Sequence, residues 1–229
     1  LATSIEAGEQ INGSGDFDSI IASTFAVSVV FDFSGAIITG VERLVFENSG
    51  DSIVTLLGSQ VGSGLINECP INSGTGANSV NILGAADLST LAITGVFSLA
   101  DSITITDDAG DDVIIGSSVR DIIIDSAGDD VLSGGGGDDR FVINSAFAQL
   151  NGVIDGGAGL GDTLVQNTGI GGNFYTAASL LNVERLEFGA NGGSGNFADV
   201  HFGLAAGRIN LVTGSALADR FDITGAAID

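Results

Sequence analysis

Four aspartates recur at a fixed spacing in the middle of the chain, and their chemistry is that of metal ligands. Asp112, Asp121, Asp130 and Asp139 fall nine residues apart, and each precedes a short apolar run such as Val113–Ile115. A nine-residue period is neither that of a helix nor the simple alternation of a strand. It indicates that a short unit of turn and strand is stacked repeatedly.

Calcium is the ion that these residue types favour. Aspartate supplies carboxylate oxygens, and glycine permits positive φ angles that turn backbone carbonyls inward. Ca²⁺ is a hard ion that binds six to eight oxygens at about 2.3–2.6 Å. One turn of this size supplies about half of them, so a site needs a second turn.

The turn at 134–139 reads Gly-Gly-Gly-Gly-Asp-Asp and is followed by Arg-Phe-Val. It resembles the nonapeptide of the RTX (haemolysin-type calcium-binding) family, Gly-Gly-x-Gly-x-Asp-x-U-x, in which U is a large apolar residue. The resemblance covers residues 107–143. It implies an all-β fold, a parallel β-roll or β-solenoid with calcium bound in the turns. Six residues would form each turn, three each strand, and two units one coil.

The resemblance also implies which turns share an ion. Turn 107–112 is expected to stack on turn 125–130, two units later. The expected calcium ligands on this edge are Asp112, Asp130 and the turn glycines Gly110 and Gly128.

The opposite edge is expected to stack turn 116–121 on turn 134–139. The expected ligands there are Asp121, Asp139, Gly135 and Gly137. This edge matches the pattern less well, because Val119 replaces a glycine and Arg120 brings a positive charge near the site.

Other acidic residues are secondary candidates. Five aspartates of the tract are expected to be solvated turn residues: Asp107, Asp108, Asp125, Asp129 and Asp138. Elsewhere, Asp18 and Asp162 end the best of the degenerate turns and are the further candidate calcium ligands, whereas Asn78 and Asp219 end weaker turns. Because these turns lack a stacked partner in the sequence, each alone is expected to be structural.

A longer repeat flanks the tract. Val-Glu-Arg-Leu at 41–44 returns at 183–186, and residues 11–82 and 154–223 read as two copies of one unit. We therefore expect a first repeat unit at 1–106, the nonapeptide roll at 107–143 and a second copy at 144–229. The chain reads as a piece of a longer array. Short β-branched runs bounded by turn residues predict strands throughout, with one weak helical signal at 177–183.

Composition narrows the classes of partner. The formal net charge is −23 and there is no lysine, yet 44% of residues are hydrophobic. Such a surface repels phosphate, which excludes nucleic acid as a partner and favours a divalent cation. No apolar run is long enough for a membrane span. The single cysteine, Cys69, permits no internal disulfide and is expected to be buried.

Catalytic motifs are missing from the sequence. There is no Gly-x-Ser-x-Gly elbow and no His-Glu-x-x-His zinc motif. The single histidine, His201, is expected to be a strand residue. We therefore expect no enzyme activity and assign no catalytic residue.

Two function classes remain. The first is a secreted, calcium-dependent structural repeat protein of a bacterial surface, such as a surface layer, adhesin or extracellular filament. Its further partners would be copies of itself or a cell-surface polysaccharide. The second is a non-catalytic calcium-binding module of a secreted enzyme or toxin, for example a protease, lipase or epimerase. The resemblance implies export by a type I route. An ordinary β-solenoid, whose Asp and Gly residues only make turns, is the alternative to both.

Overall fold

A computed structural model describes the chain at residues 8–13, 15–22, 28–47, 50–62, 65–71, 76–95, 97–144, 152–167, 173–176, 179–189, 197–201, 211–213 and 220–223. The chain divides into two compact units. The first unit comprises residues 1–105 with 117–119, and the second comprises 106–116 with 120–229.

The described residues of both units form short strands, which confirms the predicted all-β class. A single turn of 3₁₀ helix at Gly58–Gln60 is the only helical element among them. The first strands are β1 (Gln10–Asn12), β2 (Ser19–Ala22), β3 (Val29–Asp32), β4 (Ile37–Thr39), β5 (Arg43–Phe46), β6 (Ser52–Leu57), β7 (Glu68–Ile71), β8 (Asn78–Leu83), β9 (Ala86–Asp87), β10 (Ala92–Gly95) and β11 (Ser102–Thr106). The later strands are β12 (Val113–Ile115), β13 (Asp121–Asp125), β14 (Val131–Ser133), β15 (Arg140–Ile143), β16 (Val153–Asp155), β17 (Thr163–Gln166), β18 (Asn173–Thr176), β19 (Leu180–Leu181), β20 (Arg185–Phe188), β21 (Phe197–His201), β22 (Leu211–Thr213) and β23 (Arg220–Ile223).

The strands stack in parallel as a β-solenoid. In the first unit the hydrogen-bonded orders are β10-β7-β5-β2, β11-β8-β6-β3 and β1-β4. In the second unit they are β22-β20-β17-β15-β13, β19-β16-β14-β12 and β18-β21-β23. Parallel pairing between strands that lie two or three elements apart in the chain requires the chain to coil, as the nine-residue repeat predicts.

The eighteen-residue coil predicted for the tract is confirmed by the strand register. Ile114 pairs with Leu132 across β12 and β14, and Ile123 pairs with Phe141 across β13 and β15. All four side chains are fully buried. They occupy the apolar position of successive nine-residue units and form the narrow core of the roll.

Beyond the tract the coils lengthen, and strands pair in similar ways in the two predicted copies. In the second copy, β16 pairs with β19 and β17 with β20. In the first copy, β1 pairs with β4 and β2 with β5 in the same way. Even the backbone conformation is repeated, since Gly40 and Asn182, which follow β4 and β19, have positive φ angles of 63° and 50°.

The weak helical signal at 177–183 is wrong where the structure describes it. Thr176, just before this stretch, is the last residue of β18, and Leu180 and Leu181 form β19. Residues 177 and 178 lie outside the described residues. Pairing of β19 with β16 along the solenoid outweighs a weak local propensity.

Cys69 and His201 lie where the sequence predicts. Cys69 is in β7 with 2% of its surface exposed, and burial raises its pKa to about 12. His201 ends strand β21. Across the described ranges, no helix has the length and apolar character needed to cross a lipid bilayer.

Candidate metal centre

Three aspartates of the second unit converge between two stacked turns. Ala109 and Ala127 are bridged in parallel, which stacks turn 107–112 on turn 125–130 as predicted. Carboxylate oxygens of Asp107, Asp125 and Asp130 lie within 4.8 Å of one another there. We call these three residues the acidic cluster.

The acidic cluster is buried. The exposed fractions are 7% for Asp107, 1% for Asp125 and 0% for Asp130. Like charges about 4 Å apart repel by roughly 4 kcal/mol each pair at an effective dielectric constant of 20. A buried group of three carboxylates is therefore costly unless a cation or protons neutralise it.

The expectation that Asp107 and Asp125 are solvated is wrong. Both continue the inward face of a strand: Ile103, Ile105 and Asp107 alternate with outward residues, as do Ile123 and Asp125. The period of two along β11 and β13 was the signal that places these carboxylates inside. By contrast, Asp108 and Asp138 are exposed and Asp129 is partly exposed, as expected.

The pair predicted on this edge, Asp112 and Asp130, is joined by a hydrogen bond. The backbone N–H of Asp112 donates to Oδ1 of Asp130 at 2.9 Å. The other oxygen of Asp130 is buried without a hydrogen-bond partner, as are Oδ2 of Asp112 and Oδ2 of Asp107. Unsatisfied buried carboxylate oxygens are rare in folded proteins, and a cation is an obvious partner for them.

Electrostatics at the cluster favour a bound positive charge. Burial raises the pKa of Asp107 to about 7, and the negative charges of Asp130 and Asp112 add to the shift. A divalent cation among these carboxylates would stabilise their ionised forms instead.

The opposite edge carries a column of similar hydrogen bonds. The N–H of Asp121 donates to Oδ1 of Asp139 at 2.8 Å, and the N–H of Asp139 donates to Oδ1 of Asp162 at 2.7 Å. The N–H of Asp162 donates in turn to Oε2 of Glu184 at 3.1 Å. We call each such bond, from a turn amide to the carboxylate one coil later, a carboxylate rung.

Two carboxylates of this column are buried and incompletely satisfied. Asp139 and Asp162 are 1% and 0% exposed, and Oδ2 of each has no hydrogen-bond partner. Burial raises the pKa of Asp139 to about 8 and that of Asp162 to about 6. Asp162 is therefore not the isolated turn residue that the sequence suggests, because its turn stacks on turn 134–139 one coil earlier.

Glycine is required where oxygens crowd the turns. A Cβ on Gly128 would lie 1.7 Å from the carbonyl oxygen of Gly110 and 2.6 Å from Oδ1 of Asp130. A Cβ on Gly134 would lie 2.2 Å from Oδ2 of Asp139 and 2.6 Å from the carbonyl oxygen of Gly156. Carbonyl and carboxylate oxygens thus meet at both edges, which is the donor set that Ca²⁺ prefers.

The glycines predicted as ligands differ in what their carbonyl oxygens face. The carbonyl of Gly110 faces Gly128, whereas the carbonyl of Gly135 accepts the N–H of Ala158 at 2.8 Å. The carbonyl of Gly137 would contact a Cβ on Gly159 at 2.2 Å, where Asp162 also approaches. Gly110, Gly135 and Gly137 have positive φ angles, and glycine adopts these without strain.

Asp18 repeats the arrangement of Asp162 in the first unit. Its N–H donates to Oε2 of Glu42 at 3.0 Å, as that of Asp162 does to Glu184. Glu42 and Glu184 are the glutamates of the two Val-Glu-Arg-Leu segments. The recurring glutamate thus completes a carboxylate rung in each copy, which explains its place in the repeat.

Comparisons of the chain with protein-family models, with curated proteins and with solved structures found no match. The acidic cluster, the carboxylate rungs and the nine-residue tract are therefore the features of the chain that bear on its function.

Proposed function

We propose that the chain is a calcium-stabilised structural repeat protein of the RTX type, and that Ca²⁺ binds between stacked turns of its solenoid. The observation that carries this is the acidic cluster. Asp107 and Asp130 each keep a buried carboxylate oxygen without a hydrogen-bond partner, and Asp125 lies within 4.8 Å of both.

The donor set supports Ca²⁺ over other ions. Carboxylate and carbonyl oxygens are hard ligands, and no sulfur or imidazole atom belongs to the acidic cluster. Mg²⁺ demands near-ideal octahedral geometry and keeps several waters, whereas Ca²⁺ accepts irregular sets of six to eight oxygens. Two stacked loops with several inward oxygens suit the larger ion.

A structural role follows from how the ion would act. Bound Ca²⁺ neutralises carboxylates that otherwise repel, so the free energy of binding becomes free energy of folding. A chain with a net charge of −23 would then fold fully only where calcium is abundant. The extracellular space is such a place, and we propose that the protein works there, at a bacterial surface.

Calorimetric titration of the purified, chelator-treated chain with CaCl₂ and with MgCl₂ tests this function. We expect saturable calcium binding and a rise in the unfolding temperature, with a stabilisation of about 2.7 kcal/mol at a hundredfold excess over Kd. Mg²⁺ should be much weaker at equal concentration. An unfolding temperature that is identical in EGTA and in millimolar Ca²⁺ would refute the proposal.

A further inference from the structure

We propose that the two units differ in their need for Ca²⁺: the first unit keeps its fold without the ion, whereas the second unit depends on it. This inference rests on the proposed function, since it locates where in the chain the bound ion is needed. It is carried by a difference in how the two units satisfy their buried acidic side chains.

In the first unit, a buried carboxylate is satisfied by hydrogen bonds alone. Oδ1 of Asp101 accepts both the backbone N–H and the side-chain Nδ2 of Asn78, each at 2.9 Å. Oδ2 of Asp101 accepts the N–H of Ser98 at 2.7 Å. Asp101 is 2% exposed, so this is a carboxylate rung that is buried and complete without a cation.

Asn78 is the reason that this rung needs no ion. It occupies the position that aspartate holds in the nine-residue units, and its amide donates where a carboxylate would repel. Its Oδ1 is buried without a partner, but that oxygen is uncharged. An unsatisfied neutral group costs about 1–3 kcal/mol, far less than an unsatisfied buried charge.

A second acidic residue of the first unit is also satisfied by hydrogen bonds alone. Oδ1 of Asp51 accepts the N–H of Ala77 at 2.9 Å, and Oδ2 accepts the hydroxyl of Ser28 at 3.2 Å. Asp51 is also exposed, so water screens its charge. Within the described residues of the first unit, no buried carboxylate oxygen lacks a hydrogen-bond partner.

The second unit is built differently. Buried carboxylate oxygens without a partner occur at Asp107, Asp112, Asp130, Asp139 and Asp162. These residues stack on both edges of the roll, so removing a bound cation would leave like charges facing one another inside it. Repulsion would then act on the second unit and spare the first.

The chain carries its own reporter for the first unit. Cys69 is the single thiol of the protein and is 2% exposed in β7. Its reaction with a thiol reagent therefore requires that the first unit opens. Amide hydrogen exchange read by mass spectrometry reports the second unit, through segments 121–143 and 152–167.

The experiment compares the whole chain in EGTA and in millimolar Ca²⁺. We expect the second-unit segments to lose protection in EGTA and regain it with Ca²⁺, while Cys69 labelling stays slow in both. Fast Cys69 labelling in EGTA that Ca²⁺ suppresses would overturn this inference and leave the proposed function standing. No change in either reporter would overturn the proposed function, and this inference with it.

A matched pair of variants tests the role of the rung directly. Asn78→Asp places two carboxylates at the buried rung, so we expect Cys69 labelling in EGTA to become at least about tenfold faster. Asn81→Asp adds the same charge on the same strand, three residues away, and should leave labelling within about twofold. Equal labelling rates in Asn78→Asp and the unaltered chain would contradict the assignment to Asn78.

Discussion

The backbone N–H of Asp112 donates to Oδ1 of Asp130, eighteen residues later, and leaves Oδ2 of Asp130 buried without a partner. One carboxylate thus has two tasks. Its Oδ1 accepts the hydrogen bond that joins the two stacked turns, and the same carboxylate belongs to the acidic cluster with Asp107 and Asp125. Both tasks can be separated by mutation.

Asp130→Ala should remove both the hydrogen bond that stacks the two turns and one carboxylate of the acidic cluster. We expect calcium affinity to fall by at least tenfold, about 1.4 kcal/mol, with loss of protection in the coil from 107 to 130. Calorimetric titration and hydrogen exchange measure the two effects. Asp51→Ala is the control, because Asp51 is an exposed turn residue of the first unit. Equal calcium affinities of the two variants would show that the stacked turns do not form the site.

Asp130→Asn should keep the stacking hydrogen bond and remove one negative charge from the acidic cluster. The amide oxygen can still accept the N–H of Asp112, and removal of one charge relieves repulsion with Asp107 and Asp125. We expect this variant to be more stable than the unaltered chain in EGTA, by about 1 kcal/mol or more, and to gain little from Ca²⁺. Urea unfolding with and without Ca²⁺ gives both numbers. Lower stability than the unaltered chain in EGTA would speak against a repulsive cluster.

The stability of the calcium-free chain should fall as the pH rises. The folded-state pKa is raised to about 7 for Asp107 and to about 8 for Asp139, from an ordinary value of 3.8. Between pH 3.8 and these raised pKa values, the folded state binds more protons than the unfolded state. Each added pH unit in this range therefore favours unfolding. The contribution of these two carboxyl groups to stability is fully present below pH 3.8 and is lost progressively up to about pH 8.

Saturating Ca²⁺ should reverse this trend, because protons then compete with the ion for the same oxygens. Unfolding free energies measured between pH 4 and pH 8, in EGTA and in Ca²⁺, test both slopes. A calcium-free chain that becomes more stable across this window would contradict the unsatisfied state of the buried carboxylates.

Gly128→Ala should disrupt the stacking of turns without altering any acidic residue. Its Cβ would lie 1.7 Å from the carbonyl oxygen of Gly110, so backbone must shift. We expect a loss of more than about 3 kcal/mol of stability. Gly15→Ala is the control: nothing lies within 4 Å of its Cβ, and the cost is the strain of a φ of 32°, about 1 kcal/mol. Similar losses for both variants would show that close approach is unimportant at Gly128.

Much of the solenoid is predictable because the sequence repeats every nine residues in the tract. The spacing of Asp112, Asp121, Asp130 and Asp139 predicts the register of the tract, and the inward apolar positions follow from it. The recurrence of Val-Glu-Arg-Leu, together with the similar segments around it, predicts two copies of one unit. The structural role of its glutamate, which accepts a hydrogen bond from a turn amide one coil earlier, is visible only in the fold, because coils outside the tract vary in length.

The candidate site was predicted in outline and missed in detail. The nine-residue spacing predicts Asp130 as a ligand, whereas Asp107 and Asp125 fall outside the ligand positions and are only secondary candidates, expected to be solvated. Their inward direction comes from the strand alternation, which continues by one more inward position beyond the buried Ile105 and Ile123. Asp162 was judged isolated because an extra residue in its turn breaks the nine-residue spacing, whereas stacking along the column tolerates a longer coil.

Along the described column Asp121–Asp139–Asp162–Glu184, every rung runs in the same direction, from an amide in one coil to a carboxylate in the next. In this column each turn amide finds its acceptor in the coil that follows, so a column that is cut short leaves its last turn amide without that acceptor. Assembly along such a column has a polarity: each finished layer is a template for the layer after it, and a truncated column exposes one chemically distinct end.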